Sequence, residues 1–390
     1  MLVVADCETN GLKNPDRLWI IVCREVESGK VHTFLEPDKN PKPFRDYAKQ
    51  VTGWIGHNFI AFDLRVINRL AGSKIDPSTV IDTLIVSRLT NGLRAAGHSL
   101  ESYGEEFGIP KVQNEDWSQL TPLMIDRCVI DTEINIKTYL KLRPFIQSPL
   151  WRSALRTEHD IAVICNEIQD NGFYFDRPQA ASIYDNLSQQ VEELTNVLTT
   201  AFPPKPVLVK EITPRATKFG TLNRSDFRWL LKDGNTDLSH YSAGASFSRI
   251  EWKPFNPGSP TQIVERLNEA GWQPTDKTKT HFKAEQAWKR QPTKENEERL
   301  RSFLVTGWKI SETNLNTLSS TAPAAAHQLV RFLILNNRKK LLEIWLEASE
   351  ADSRIHPTIT PLGTWTGRKS HSDPNVANVP TEKPQDLPEI

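Results

Sequence analysis

Four cysteines in 390 residues, Cys7, Cys23, Cys128 and Cys165, are too scattered for a disulfide framework, and none has the CxxC spacing of a zinc site. They read as reduced thiols of a cytosolic protein. Long apolar runs are also missing. Stretches such as Leu18–Cys23 and Phe332–Leu335 fall far short of the ~20 residues that span a bilayer, so no membrane association is expected. The opening Leu2-Val3-Val4-Ala5-Asp6 lacks the basic and long apolar regions of a signal peptide. Net charge is absent too: 48 basic residues balance 48 acidic ones. That argues against a protein that coats a polyanion by bulk electrostatics, but not against one that grips it locally. No internal repeat is present.

The charge balance conceals a division. Residues 1–140 hold 16 Lys and Arg against 19 Asp and Glu, whereas residues 141–390 hold 32 against 29. At roughly 100–200 residues per domain, the length implies two or three domains. In the first segment, Leu2–Ala5, Leu18–Arg24, Val31–Leu35 and Gly53–His57 read as strands separated by turn residues such as Asn10-Gly11 and Ser28-Gly29. Ala61–Leu70 and Asp82–Leu89 read as helices, and a longer one starts at Thr121-Pro122 and runs to about Leu142. This pattern is that of an α/β domain with a mixed sheet. After about residue 150 the pattern becomes helical, with Leu155–Asp170, Asp176–Phe202, Gln262–Ala270, Lys294–Phe303 and Ala324–Ser349. Residues 203–258 show no sustained period.

The sharpest local signal is Asp6-Cys7-Glu8-Thr9-Asn10-Gly11-Leu12, directly after an apolar strand. Residues i and i+2 of a strand share a face, so Asp6 and Glu8 project side by side. Adjacent carboxylates repel unless a cation lies between them, and hard divalent ions choose such oxygens. His57-Asn58-Phe59-Ile60-Ala61-Phe62-Asp63 adds a carboxylate in the first turn of a helix, and Asp131 adds another on the helix after Thr121. Together Asp6, Glu8, Asp63 and Asp131 suit two metal ions about 4 Å apart, an arrangement that serves phosphodiester cleavage.

These motifs, in this order, resemble the DEDD-type 3′–5′ exonucleases with a ribonuclease H-like fold. Ile81-Asp82-Thr83-Leu84 followed by Gly97-His98-Ser99-Leu100-Glu101 resembles the proofreading domain of phage family-A DNA polymerases. The resemblance implies that Asp6, Glu8, Asp63 and Asp131 ligate two Mg²⁺ or Mn²⁺ ions and carry catalysis. It places Thr9 and Leu12 beside the terminal nucleotide, with Asn58 helping to place the second motif. One position departs from the pattern. The family has a Tyr four residues before the third-motif Asp, or a His five before it, where this chain has Arg127 and Asp126. Arg stays protonated and cannot serve as a base.

The likeness continues to the end of the chain. Gln169-Asp170-Asn171-Gly172-Phe173-Tyr174-Phe175-Asp176 and Phe255-Asn256-Pro257-Gly258-Ser259 resemble thumb segments of the same polymerases. Gly363-Thr364-Trp365-Thr366-Gly367-Arg368 and Asp373-Pro374-Asn375-Val376-Ala377-Asn378 resemble the first palm segment. There Thr366, Arg368, Asn375 and Asn378 would contact primer–template DNA, and backbone contacts of that sort carry no sequence information. Between the thumb helices, Lys205, Lys210, Arg215, Lys218, Arg224, Arg228 and Lys232 interleave with Phe219, Phe227 and Trp229. That composition suits DNA backbone contact, a partner surface or a solvated loop, and the resemblance implies that an insertion here can recruit a processivity factor.

The expected organisation is an exonuclease domain at 1–150, a helical thumb at 151–350 with a basic insertion at about 203–254, and a partial palm at 351–390. The family's polymerase carboxylates and fingers would follow residue 390. The chain is therefore expected to be either the exonuclease and DNA-binding subunit of a naturally split polymerase, the favoured reading, or a fragment of a longer one, in a phage-infected bacterial cytoplasm. A second polypeptide would carry the remaining palm and fingers. The alternative is a non-catalytic scaffold whose nuclease site is weakened by Arg127. The Pro-rich residues 380–390 are expected to form a polar terminus.

Overall fold

The computed structural model describes residues 1–114, 116–232, 234, 236–272, 274–318 and 322–379. Residues 380–390, with the expected polar terminus, lie outside them. Two compact units emerge, one of Met1–Phe175 with the described residues from Glu347 onward, the other Asp176–Leu346.

The first unit begins with the strands β1 (Leu2–Thr9), β2 (Leu18–Glu25) and β3 (Val31–Leu35), which pair antiparallel. Helix α1 (Lys42–Ala48) leads to β4 (Gly53–Gly56), then α2 (Asp63–Leu70), β5 (Val80–Asp82) and α3 (Thr83–Thr90). Strands β4 and β5 join in parallel, giving a mixed sheet of order β3-β2-β1-β4-β5. Helices α4 (Leu100–Phe107), α5 (Pro122–Gln147) and α6 (Arg152–Asn171) follow, then the short strand β6 (Phe173–Tyr174).

The unbroken apolar run of β2 now has its cause. Leu18–Cys23 is buried throughout because both faces of the sheet are covered. On one face, Val3, Ala5, Ile21 and Cys23 pack with Phe44, Leu64 and Ile67. On the other, Ile20 and Val22 meet Met124 and Cys128 of α5, while Val4 and Ile55 meet Tyr139. Helix α5 starts as its sequence implies, with Thr121 Oγ1 accepting the Met124 N–H at 3.1 Å. It runs past Leu142 to Gln147.

Helix α7 (Arg177–Ala201) opens the second unit. It is followed by β7 (Lys205–Ile212), α8 (Arg228–Lys232), β8 (Phe247–Lys253), α9 (Pro260–Glu269), α10 (Lys279–Arg290), α11 (Lys294–Thr306), α12 (Glu312–Leu315) and α13 (Leu329–Ala348). Leu187, Val191 and Leu198 of α7 share a core with Ile263 and Leu267 of α9 and Phe332 and Leu335 of α13. The chain then returns to the first unit with β9 (Arg354–Ile355), β10 (Thr358–Thr360) and β11 (Ser370–Ser372). There β9 pairs with β6, and β10 with β11.

Three local expectations are corrected. The stretch 203–258 is not without regular structure: β7 and β8 form an antiparallel ribbon, from Lys205↔Lys253 to Ile212↔Phe247. Its partners are too far apart in sequence for local periodicity to reveal them. The helix expected at Asp82–Leu89 runs from Thr83 to Thr90 with Asp82 as its N-cap, and a short strand not expected from the sequence, Val80–Asp82, precedes it because β4 offers a parallel edge. The expected helix from Ala324 begins as a 3₁₀ turn, Ala324–Gln328, and becomes α-helical at Leu329.

The turn after β4 is tight. A Cβ at Gly56 would lie 2.3 Å from the Phe59 side chain, and Phe59 is fully buried. Gly56→Ala should therefore destabilise the first unit by about 2–3 kcal/mol through overpacking, measured as a lower urea midpoint at unchanged m value.

Candidate metal centre

The period of β1 sets the site. Leu2 and Val4 face Tyr139 of α5, so Asp6 and Glu8, two and four residues on from Val4, face the same helix. Asp131 lies two turns before Tyr139 on α5. Asp6, Glu8 and Asp131 each present a carboxylate oxygen, and these oxygens all lie within 4.8 Å of one another. The Cys128 thiol, one turn before Asp131, donates to Asp6 Oδ2 at 3.4 Å. Oδ1 of Asp131 is buried and has no hydrogen-bond partner among the described residues. Hard carboxylate oxygens around an unpartnered acceptor fit a hard divalent cation. The three side chains form a DEDD-like acidic metal-binding triad, consistent with a 3′–5′ exonuclease active site.

Asp63 is placed beside this triad but is held differently. The β1–β4 register ends at Val4↔Ile55. Beyond it, Asp63 Oδ1 accepts the Cys7 N–H at 3.0 Å, where a neighbouring strand's carbonyl would otherwise serve. Asp82 builds the turn that delivers Asp63. Its carboxylate accepts the N–H groups of Asn58 at 2.9 Å, Ile60 at 3.1 Å and Leu84 at 3.0 Å. Asn58 itself has a left-handed φ of 62°. Thr83 ties this turn to α5, bonding His57 Nδ1 at 2.9 Å and donating to Asn135 Oδ1 at 2.8 Å.

Two cations enter the cluster. Arg127 Nε donates to Glu8 Oε1 at 2.9 Å and lies 4.0 Å from Asp131 Oδ2. Lys111 Nζ lies 3.0 Å from Asp131 Oδ2. Lys111 was not singled out in the sequence. It sits in the irregular stretch between α4 and α5, and a lone lysine in such a stretch carries no motif.

Burial governs the protonation of the carboxylates. Desolvation, reinforced by Asp63, Asp131 and Glu8, holds the Asp6 carboxyl well above its usual range. Desolvation pushes Glu8 to about 7 although Arg127 opposes it. It pushes Asp63 to about 7 although the Cys7 hydrogen bonds oppose it. Asp131 is also raised by burial, against the pull of Lys111. His57, half-buried at the turn, is lowered to about 4 by desolvation.

The other residues assigned from the sequence lie on β1, the turn after it, and the segment after β10. Thr9 is buried and its hydroxyl donates to the Gly11 carbonyl at 2.7 Å. Leu12 is 85% exposed. It lines a cleft of about 890 Å³ together with Lys13, Phe62, Arg69 and His356. Thr366 and Arg368 lie in the exposed turn between β10 and β11. The Thr364 hydroxyl bonds Thr366 Oγ1 at 2.9 Å and accepts the Arg368 N–H at 3.0 Å. Asn375 Oδ1 accepts the Ala377 N–H at 2.9 Å, and Asn378 is exposed. Leu362, in the same turn, belongs to the first unit's core.

No protein-family profile matches the chain. It is similar to a DNA-directed DNA polymerase of Enterobacteria phage T3, with 23% identity covering 97% of this chain and 63% of that protein. It is also similar to a DNA-directed DNA polymerase of Escherichia phage T7, with 24% identity covering 83% of this chain and 54% of that protein. The chain thus spans between half and two thirds of the length of these curated relatives. Among solved structures, the POL domain of Pol1 from M. smegmatis, in complex with DNA primer-template and dNTP, shares the fold. Its TM-score is 0.60 at 14% identity, covering 98% of this chain and 52% of that one. Among the described residues, no helix is long and apolar enough to cross a membrane.

The raised carboxylates give a signed pH dependence. Glu8 and Asp63 bind protons more tightly folded, at about 7, than at their ordinary values of 4.5 and 3.8. The stability they contribute is complete below those ordinary values and is lost as pH rises through the folded values. The Tm of the metal-free protein should fall between about pH 5 and pH 8. Glu8→Gln should flatten that fall, and added Mn²⁺ should raise Tm more at the upper pH than at the lower.

Proposed function

We propose that this chain hydrolyses DNA from a single-stranded 3′ end, one nucleotide at a time, and also grips primer–template duplex as part of a family-A-like replicative polymerase. The observation that carries the reading is the triad of Asp6, Glu8 and Asp131, with one Asp131 oxygen buried and unpartnered. The likeness to phage DNA polymerases along almost the whole chain supports it. Two divalent ions, Mg²⁺ or Mn²⁺, would be held by Asp6 and Glu8 in common, with Asp131 completing one site and Asp63 serving the other through its water shell. Bound there, they would supply Lewis acidity toward the scissile phosphate and a nucleophilic water.

The chain's own residues do the rest. Asp82 and Thr83 fix the turn that presents Asp63, and the face shared by Asp6 and Glu8 fixes the spacing of the ligands. Thr9 and Leu12 would flank the terminal nucleotide, with the cleft beside Leu12 receiving the strand. Thr366, Arg368, Asn375 and Asn378 are the proposed backbone contacts to duplex. The β7–β8 ribbon is the proposed contact for DNA backbone or for a processivity factor. A companion polypeptide is the proposed source of polymerisation, and co-purification from the native source tests it.

A second reading, a scaffold with a weakened nuclease, is favoured by one observation: the position of the motif Tyr holds Arg127, ion-paired to Glu8 at 2.9 Å. A strong rise in nuclease rate on Arg127→Tyr would support that reading.

Incubation of a 3′-labelled single-stranded oligodeoxynucleotide with Mn²⁺ tests the main proposal. Mononucleotides should be released, and Asp6→Ala/Glu8→Ala should lower the rate by roughly 100-fold or more. Equal, slow degradation by both proteins would sink the assignment, and a preference for an RNA 3′ end would redirect it to ribonuclease chemistry.

A further inference from the structure

Two of the triad's three carboxylates are already paired with cations of the chain. Lys111 Nζ is 3.0 Å from Asp131 Oδ2, and Arg127 Nε is 2.9 Å from Glu8 Oε1. Both cationic side chains are largely shielded, at 18% and 17% exposure, so water screens them less than surface pairs. Neither is placed by chance collapse of a long side chain. Arg127 Nη1 donates to the Val112 carbonyl at 3.0 Å, and its guanidinium stacks 5.2 Å from the centre of the Trp117 ring. The segment that carries Lys111, Val112 and Trp117 is tied down at both ends. The Ile109 N–H bonds the Gly104 carbonyl at 2.8 Å, and the Trp19 indole donates to the Trp117 carbonyl at 3.1 Å.

We propose that Lys111 and Arg127 are a resident counter-cation pair that holds the triad together in the metal-free state and sets its metal affinity by having to be displaced. The proposal rests on the reading of the triad as a metal site. A divalent ion entering the cage finds two of its three ligands already in ion pairs, with two like charges within hydrogen-bond distance of those ligands. Its binding is weakened by what it costs to part the pairs. Once parted, the Arg127 guanidinium keeps its bond to the Val112 carbonyl and its place over Trp117. A guanidinium offers a planar fork that matches a phosphodiester. An anionic strand end that accepts these cations would thus favour metal entry, and metal entry would favour the strand by the same factor.

Mn²⁺ binding to the full chain without nucleic acid, followed by the loss of the free-ion paramagnetic resonance signal, tests this. Arg127→Gln and Lys111→Gln should each bind Mn²⁺ at least tenfold more tightly than the wild type. Their metal-free Tm should fall, and Mn²⁺ should restore it. Arg127→Met and Lys111→Met serve if a glutamine variant does not fold. Unchanged or weaker Mn²⁺ binding in the folded variants overturns the proposal. Asp6→Ala/Asp131→Asn separates it from the reading beneath it. If that variant binds Mn²⁺ as the wild type does, the metal site itself is wrong and the counter-cation proposal falls with it. If it loses Mn²⁺ while the cation variants match the wild type, only the counter-cation proposal fails.

Discussion

Carboxylates brought out of water beside one another are the constraint on which the first unit is built. Two unit charges 4 Å apart at an effective dielectric of about 20 interact by about 4 kcal/mol. Asp6, Glu8, Asp63 and Asp131 all carry raised pKa values, chiefly because burial strips their charged forms of water, with repulsion from neighbouring carboxylates adding to it. The structure meets it in three ways. The Cys7 amide bonds Asp63, the Cys128 thiol bonds Asp6, and Lys111 and Arg127 pair with Asp131 and Glu8. One fully buried acceptor of the cluster, Oδ1 of Asp131, is left without a partner among the described residues.

The sheet makes such a cluster sustainable. Because both faces of β1 and β2 are packed, the carboxylates sit on a rigid platform whose alternation cannot slip without driving Asp6 and Glu8 into the apolar core that holds Val3, Ala5 and Cys7. Helix α5 is clamped to that platform through Met124, Cys128 and Tyr139, which fixes Asp131 opposite Asp6 and Glu8. The polar turn around Asp82 and Thr83 does the same for Asp63. Each of these four carboxylates is thus positioned by packing or hydrogen bonding from the surrounding elements, the kind of support that preorganised sites need.

The residue at 127 was visible as a departure in the sequence, but its consequence was not. A motif comparison registers a missing Tyr. It does not show that the replacing guanidinium reaches Glu8, or that Lys111 reaches Asp131 from the other side. Similarly, the aromatic residues of the basic insertion read as one class. Among them Phe227 is fully buried against Tyr241 and Phe247, whereas Phe219 is 80% exposed. Their division depends on the β7–β8 pairing, which joins residues some forty positions apart.

By itself the sequence determined the mixed α/β class, the shared face of Asp6 and Glu8, the start of α5 and the acidic motifs. All are local: a strand's period, a capping threonine and neighbouring carboxylates are settled by residues within a few positions of one another. Tertiary structure alone decided that Asp131 joins Asp6 and Glu8 within 4.8 Å while Asp63 answers the Cys7 amide. It also decided that Lys111 becomes a counter-ion and that residues 203–258 contain a ribbon. Those outcomes depend on contacts across tens to more than a hundred residues, set by the packing of whole elements, which no local pattern encodes.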